Sequence, residues 1–183
     1  MHYAYRRTTA RSIAALAAFV FAPLFWSGAA AAAEYQLGSL QITQPWARAT
    51  PKGAASGAAY MTVKNTGAKA VRLRCVSSDS AAKCQIHEMS MTGGVMRMRP
   101  VEGGLEIKAG QTVTLQPGGF HMMLTGLKAP LQEGKALEAT LQTDGGGAAQ
   151  VEFPIAGVGA PGPGVAGGGA MKMQGSGMAP MSH

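Results

Sequence analysis

From Tyr35 onward, apolar and polar residues alternate in short runs separated by turn residues. Side chains two apart share one face of a strand, so such alternation marks strands with one buried side. In "GAAYMTVKNTG", Met61 and Val63 fall on one side and Tyr60, Thr62 and Lys64 on the other, and Asn65-Thr66-Gly67 ends the run. "AVRLRC" sets Val71, Leu73 and Cys75 against Arg72 and Arg74. "KCQIHEM" and "VMRMRPV" flank Gly93-Gly94, a turn pair that predicts a hairpin. "YQLGSLQIT" before Pro45, "LEIKAGQTVTLQPGG" with a turn at Ala109-Gly110, "FHMMLTGL", "ALEATLQT" and "AQVEFPI" complete the set. No run carries a convincing helical period. About eight or nine short strands at this spacing predict an antiparallel β-sandwich, each sheet with one buried and one solvated face.

The two ends break the pattern. Arg6, Arg7 and Arg11 precede an apolar run from Ile13 to Trp26, and "SGAAAAAEYQ" places Ala31 and Ala33 for cleavage before Glu34. That order predicts a secretory signal peptide over residues 1–33. The apolar run is short of the roughly 20 residues a spanning helix needs, so no membrane span is expected after cleavage. The expected location is periplasmic. From Gly157 the chain reads "GVGAPGPGVAGGGAMKMQGSGMAPMSH", rich in Gly, Ala and Pro and without apolar periodicity. Such a segment buries too little to offset its ordering entropy, which predicts a disordered tail over 157–183 and a folded domain over 34–156.

Loss of the signal lowers the formal net charge from +7 to about +4. The remaining Lys and Arg are scattered, without interleaved aromatics, so no nucleic-acid partner is expected. Export also changes the reading of Cys75 and Cys84. Two cysteines in an oxidising compartment most often pair, and these lie at the ends of a polar, turn-rich connection. A disulfide between neighbouring strands suits that placement. A redox-active or copper-binding dithiol remains open.

The chemistry concentrates in methionine and histidine. Beyond the signal the histidines are His87, His121 and His183, and each has a methionine two residues away: Met89, Met123 and Met181. Strand alternation puts His121 and Met123 on one face, with Phe120, Met122 and Leu124 pointing to the core. The same rule joins His87 to Met89, turns Cys84 to the opposite face, and puts Met96 and Met98 together. His87, Met98, His121 and Met123 then form a candidate site of two imidazoles and two thioethers. Soft, neutral thioethers suit Cu(I) and bind zinc, calcium or magnesium poorly. Met89 and Met96 are candidate accessory ligands. In the tail, Met171, Met173, Met178, Met181 and His183 could take a second copper, as Cu(II) or Cu(I).

Other chemistry has little to stand on. Glu88 alone is not an acid–base pair, no Ser-His-Asp set can be assembled, and no phosphate-cradling loop precedes a helix. An enzyme is not expected. A blue-copper centre needs a cysteine ligand, and Cys84 faces away from His87.

With these residues in place, "PWARATPKGAASGAAYMTVKNTG", "IHEMSMTGGVMRMRPVEGGLEIKAG" and "LQPGGFHMMLTGLKAPLQEG" resemble the periplasmic copper chaperones of the PCu(A)C (PCuAC) family. The resemblance spans roughly Leu40 to Ile155. The family signature is a histidine, a methionine eleven residues on, and a distal His-x-Met, matched by His87, Met98 and the His121-Met123 pair. It implies a cupredoxin-like, Greek-key β-sandwich that binds one Cu(I) near its surface. It further implies delivery of copper to the copper-bearing subunit of cytochrome c oxidase, alongside Sco-type proteins. Some relatives carry a Met/His-rich C-terminal extension that binds more copper. The cysteine pair is not part of the signature. Two other classes share these features: a redox protein using Cys75 and Cys84, as electron carrier or thiol-disulfide reductase, and a copper storage or resistance protein.

Overall fold

A computed structural model describes residues 33–163; residues 1–32, which hold nearly all of the predicted signal, and residues 164–183 lie outside it. Every regular element among the described residues is a strand. In chain order these are β1 Glu34–Leu37, β2 Leu40–Arg48, β3 Ser56–Asn65, β4 Val71–Ser78, β5 Ala81–Thr92 and β6 Val95–Pro100. They continue as β7 Leu105–Ile107, β8 Thr112–Leu115, β9 Phe120–Leu127, β10 Ala136–Thr143 and β11 Ala148–Ala156. The total of eleven exceeds the sequence expectation because two of the predicted runs each hold two strands. "YQLGSLQIT" turns at Gly38, whose φ of 60° a glycine adopts freely, and "LEIKAGQTVTLQPGG" divides into β7 and β8.

The strands close on themselves. β2 pairs with β11, then follow β10, β4, β5, β9 and β3, and β3 returns to β2. Pairing is antiparallel except for a short parallel contact of β11 with β2, at Ile155↔Ala47 and Ala156↔Arg48. The result is an all-β sandwich whose two sheets run into one another. The faces predicted to be internal are internal: Met61, Val63, Leu73, Met122 and Leu124 are buried together with Phe153, Leu40, Ile42, Leu137 and Leu141. Burying each such side chain contributes about 1.5–3 kcal/mol, before the entropy of ordering it is counted.

The rule of one wet face fails at Tyr60, which is only 4% exposed although it shares its side with Thr62 and Lys64. The cause is a register shift in β2 between Thr43 and Trp46, where Gln44 takes a left-handed φ of 51°. Beyond that bulge Trp46 lies opposite Tyr60, with ring centroids 4.5 Å apart. The Arg48 guanidinium stands 6.0 Å from the Trp46 ring and 5.7 Å from the Tyr60 ring, and donates to the Ala160 carbonyl at 2.6 Å. Ala160 is fully buried, so the chain stays packed on the sandwich past the predicted boundary at residue 156. The tail from Gly164 lies outside the described residues.

β4 and β5 form a hairpin, yet they pair only at Ser78↔Ala81, next to its turn. Further along, β4 pairs with β7 and β10 while β5 pairs with β6 and β9. A disulfide between Cys75 and Cys84, with Cα atoms 5.4 Å apart, joins the two strands where their ladder has ended. Both cysteines belong to the core cluster.

Candidate metal centre

β5 is the strand that assembles the site. Its ladder with β9 runs from Ala81↔Leu127 to Glu88↔Phe120, and its ladder with β6 from His87↔Pro100 to Thr92↔Val95. His87 sits where the two overlap, directly opposite His121 of β9. Their ring centroids are 6.0 Å apart, inclined by 47°. One step of two residues along the same face, Met89 lies opposite Met98; one step the other way, Gln85 lies opposite Met123. Opposed residues of an antiparallel pair share a face, so His87, His121, Met89, Met98 and Met123 all emerge on the outer side of the sheet. The hairpin that returns β6 beside β5 turns on Gly93 and Gly94, at φ 58° and 76°. Two consecutive positive φ angles match the strand twist, and glycine takes them without a Cβ clash.

Hydrogen bonding prepares one imidazole and burial the other. His121 is only 5% exposed, and its Nδ1 lies 3.0 Å from the Gly119 carbonyl. A carbonyl can only accept, so Nδ1 holds the proton and Nε2 keeps a lone pair for a ligand. The same carbonyl accepts the Met89 backbone N–H at 3.2 Å, which ties the β5 methionine to the β9 histidine. His87 differs. Its Nδ1 is buried without a hydrogen-bond partner among the described residues. Burial, and secondarily the neighbouring His121, hold the His87 imidazole below its usual pKa and so keep it neutral. An unpaired buried polar nitrogen costs about 1–3 kcal/mol, and a metal ion on it would remove that cost.

A cavity of about 350 Å³ opens on this face, with Met89, Met98, His121 and Met123 on one wall and Arg48, Thr50, Ser56 and Tyr60 on another. Three of the four residues proposed from sequence thus share the cavity. His87 adjoins it through its pairing with His121 and is not part of its wall. Met89 stands in the cavity itself. Met96 lies one step outward on the hairpin, opposite Met91. Arg48 and Tyr60 were missed, and no local signal marks them, because they reach the site only through the pairing of β3 with β9 and of β2 with β3. Met171, Met173, Met178, Met181 and His183 lie outside the described residues. Cys75 and Cys84 are bonded to each other on the inner side of the sheet, away from the histidines.

No three His, Cys, Asp or Glu residues converge among the described residues. The donors that do converge are thioethers and imidazoles, with no carboxylate on the cavity wall. That set fits a soft monovalent copper ion and gives a hard divalent ion nothing to hold.

The family model "Putative lipoprotein LpqE-like" matches residues 40–155. "Putative lipoprotein Lxx21020" of Leifsonia xyli subsp. xyli is 36% identical over 120 residues, which is 66% of this chain and 71% of its own length. "Uncharacterized protein RP573" of Rickettsia prowazekii is 33% identical over 109 residues, 58% of this chain and 60% of its own. Among solved structures, the "Copper-bound PCuAC domain from PmoF2" is 27% identical with a TM-score of 0.57, covering 67% of this chain and 97% of that domain. "Solution structure of CuI-DR1885 from Deinococcus radiodurans" is 28% identical with a TM-score of 0.50, covering 73% of this chain and 85% of that one. The cupredoxin-like sandwich implied by the sequence resemblance is the fold observed.

Proposed function

The chain belongs to the LpqE-like family and shares its fold with PCuAC copper-binding domains, and from that premise we propose that it is an exported copper chaperone carrying Cu(I). The observation that carries this reading is the His87–His121 cross-strand pair, with Met98, Met123 and Met89 on the same face and one imidazole nitrogen buried without a partner. Copper is cargo here. His87 and His121 supply neutral nitrogen, and Met98 and Met123 supply neutral sulfur. Such a site holds a monovalent ion without adding charge to a buried position. The sandwich fixes the histidines, whereas Met98 stands half exposed at the cavity mouth. A recipient's ligand can therefore approach the ion from the hairpin side and displace one thioether at a time. No turnover of a substrate is part of this function.

The family resemblance supports cytochrome c oxidase's copper-bearing subunit as recipient and Sco-type proteins as fellow carriers. The tail methionines and His183 support a second copper site, for Cu(II) or Cu(I). The basic, apolar and small-residue order of residues 1–33 supports export through a cleaved signal to the periplasm. Lipid attachment is not carried over from the relatives' names, since Cys75 and Cys84, the cysteines of this sequence, are bonded to each other. The redox alternative draws less support, because both sulfurs are nearly buried and neither thiol is free.

Competition with a Cu(I) chelator tests the site. His121→Ala and Met98→Ala should each weaken binding by about 100-fold or more, given the scale on which even outer-shell changes act. Wild-type affinity in both would sink the assignment. Copper transfer to a purified oxidase copper domain, read by its absorption, separates delivery from storage. Deleting residues 164–183 leaves Ala160 in place against Arg48, and should lower the copper stoichiometry by whatever the tail itself holds.

A further inference from the structure

β6 alternates Met96, Arg97, Met98 and Arg99, yet all of its residues are exposed. Alternation in a strand ordinarily reports one buried face. Here neither face is buried, so burial does not account for it. The register shows what the alternation sorts. Met91 lies opposite Met96, Met89 opposite Met98, and the next step along that face is His87 opposite His121. The reverse face carries Ser90 opposite Arg97 and Glu88 opposite Arg99. Where β5 and β6 pair, every thioether is on the histidine side and every charge on the other. Met91 and Met96, at the outer end, are 68% and 56% exposed, so packing does not explain them either.

We propose that Met91 and Met96 form an outer acceptance site for Cu(I), which passes the ion along the hairpin to Met89 and Met98 and then to the histidines. The proposal rests on the reading of the inner set as a Cu(I) site. Opposed side chains on one face start about 4.5–5.5 Å apart at Cβ, so two flexible thioethers can close on a single ion. Successive pairs along a strand are about 7 Å apart, within the combined reach of two methionine side chains. Each transfer between thioethers breaks one Cu–S bond and forms another, and the last step exchanges a Cu–S bond for a Cu–N bond to an imidazole. Copper stays Cu(I), the thioethers stay neutral, and neither proton nor electron moves. Two thioethers without an imidazole hold the ion loosely, which suits a site meant to fill and empty.

The test uses the full chain with its methionine methyl groups labelled for NMR and Ag(I), a soft monovalent ion, as probe. The first equivalent should shift the His87 and His121 ring signals together with the Met98 and Met123 methyls. Further Ag(I) should shift the Met91 and Met96 methyls, resolved individually from those of the tail. M91L/M96L keeps the apolar surface and removes both sulfurs. In it the inner signals should still respond, while loading of the inner site from a Cu(I)–chelator complex slows several-fold. Met91 and Met96 methyls that stay fixed beyond the first equivalent overturn the proposal, as does loading of M91L/M96L at the wild-type rate. If only M91S/M96S impairs transfer to a recipient, the face is a protein-docking patch and the acceptance site is wrong. Histidine rings that never respond would defeat the inner-site reading, and the Met91 and Met96 signals would still report on the outer one.

Discussion

The two halves of β5 obey different rules. From Ala81 to His87 the strand is paired with β9, and its inner side chains Cys84 and Ile86 are buried in the core. A slip of one residue there would turn both into solvent and bring polar neighbours inside, so burial enforces the register. From Glu88 to Thr92 the strand leaves the sandwich with β6 and its residues are exposed or half-buried. Alternation persists in that half without burial to enforce it. His87 stands where the halves meet, half-buried, with a nitrogen that the core neither solvates nor pairs. One strand thus separates stability from ligand supply. The inner half holds the histidines rigid, and the outer half can carry soft, mobile donors at little cost to folding.

Adjacent residues of β9 test that separation most strongly. Met122→Ala removes a fully buried side chain and should cost about 2–5 kcal/mol in denaturant unfolding, with Cu(I) affinity of the folded protein nearly unchanged. Met123→Ala, one residue on and facing outward, should reverse the pattern: a stability change of about 1 kcal/mol or less, and a large loss of copper affinity. Comparable effects of both variants on both measurements would break the distinction. Next in size is the crosslink. Replacing Cys75 and Cys84 together by alanine should cost about 2–4 kcal/mol, because the bridge supplies what the β4–β5 ladder lacks. Copper affinity should hold, since the bridge lies on the opposite side of β5. A fall of more than about tenfold, or 1.4 kcal/mol, would show that the inner side controls the outer one.

What the sequence revealed follows the same division. Period-two alternation is local, so the shared faces of His121 with Met123 and of His87 with Met89 could be read directly. The opposed placement of Cys84 and the turn at Gly93-Gly94 were legible for the same reason. Register between strands is not local. Nothing near His87 states that it faces His121 across β9, nor that Met91 meets Met96, although a hairpin with a two-residue turn at Gly93-Gly94 implies the second pairing. The burial of Tyr60 was hidden further still. It depends on a bulge at Gln44, on Trp46 from another strand, and on Arg48 reaching a carbonyl more than a hundred residues away. Length misled too: Tyr35–Thr43 reads as one alternating run, and only the backbone at Gly38 breaks it in two.

Smaller effects sharpen the outer half. Gly94→Ala places a Cβ at φ 76° and should cost about 1–2 kcal/mol, expressed as loss of amide protection across β6 before the rest of the sandwich opens. Copper binding should weaken with it, because Met98 depends on that turn to stand beside Met89. Protection lost evenly over all strands would mean the hairpin is part of the folding core after all. The smallest expected change carries the sharpest contrast. Arg97→Ala lies between Met96 and Met98 in sequence but on the reverse face, opposite Ser90. It should alter stability by less than about 0.5 kcal/mol and leave both Cu(I) affinity and loading rate where they were. A drop in either copper measurement would mean that the charged face shapes the site, and that the alternation in β6 sorts something other than sulfur.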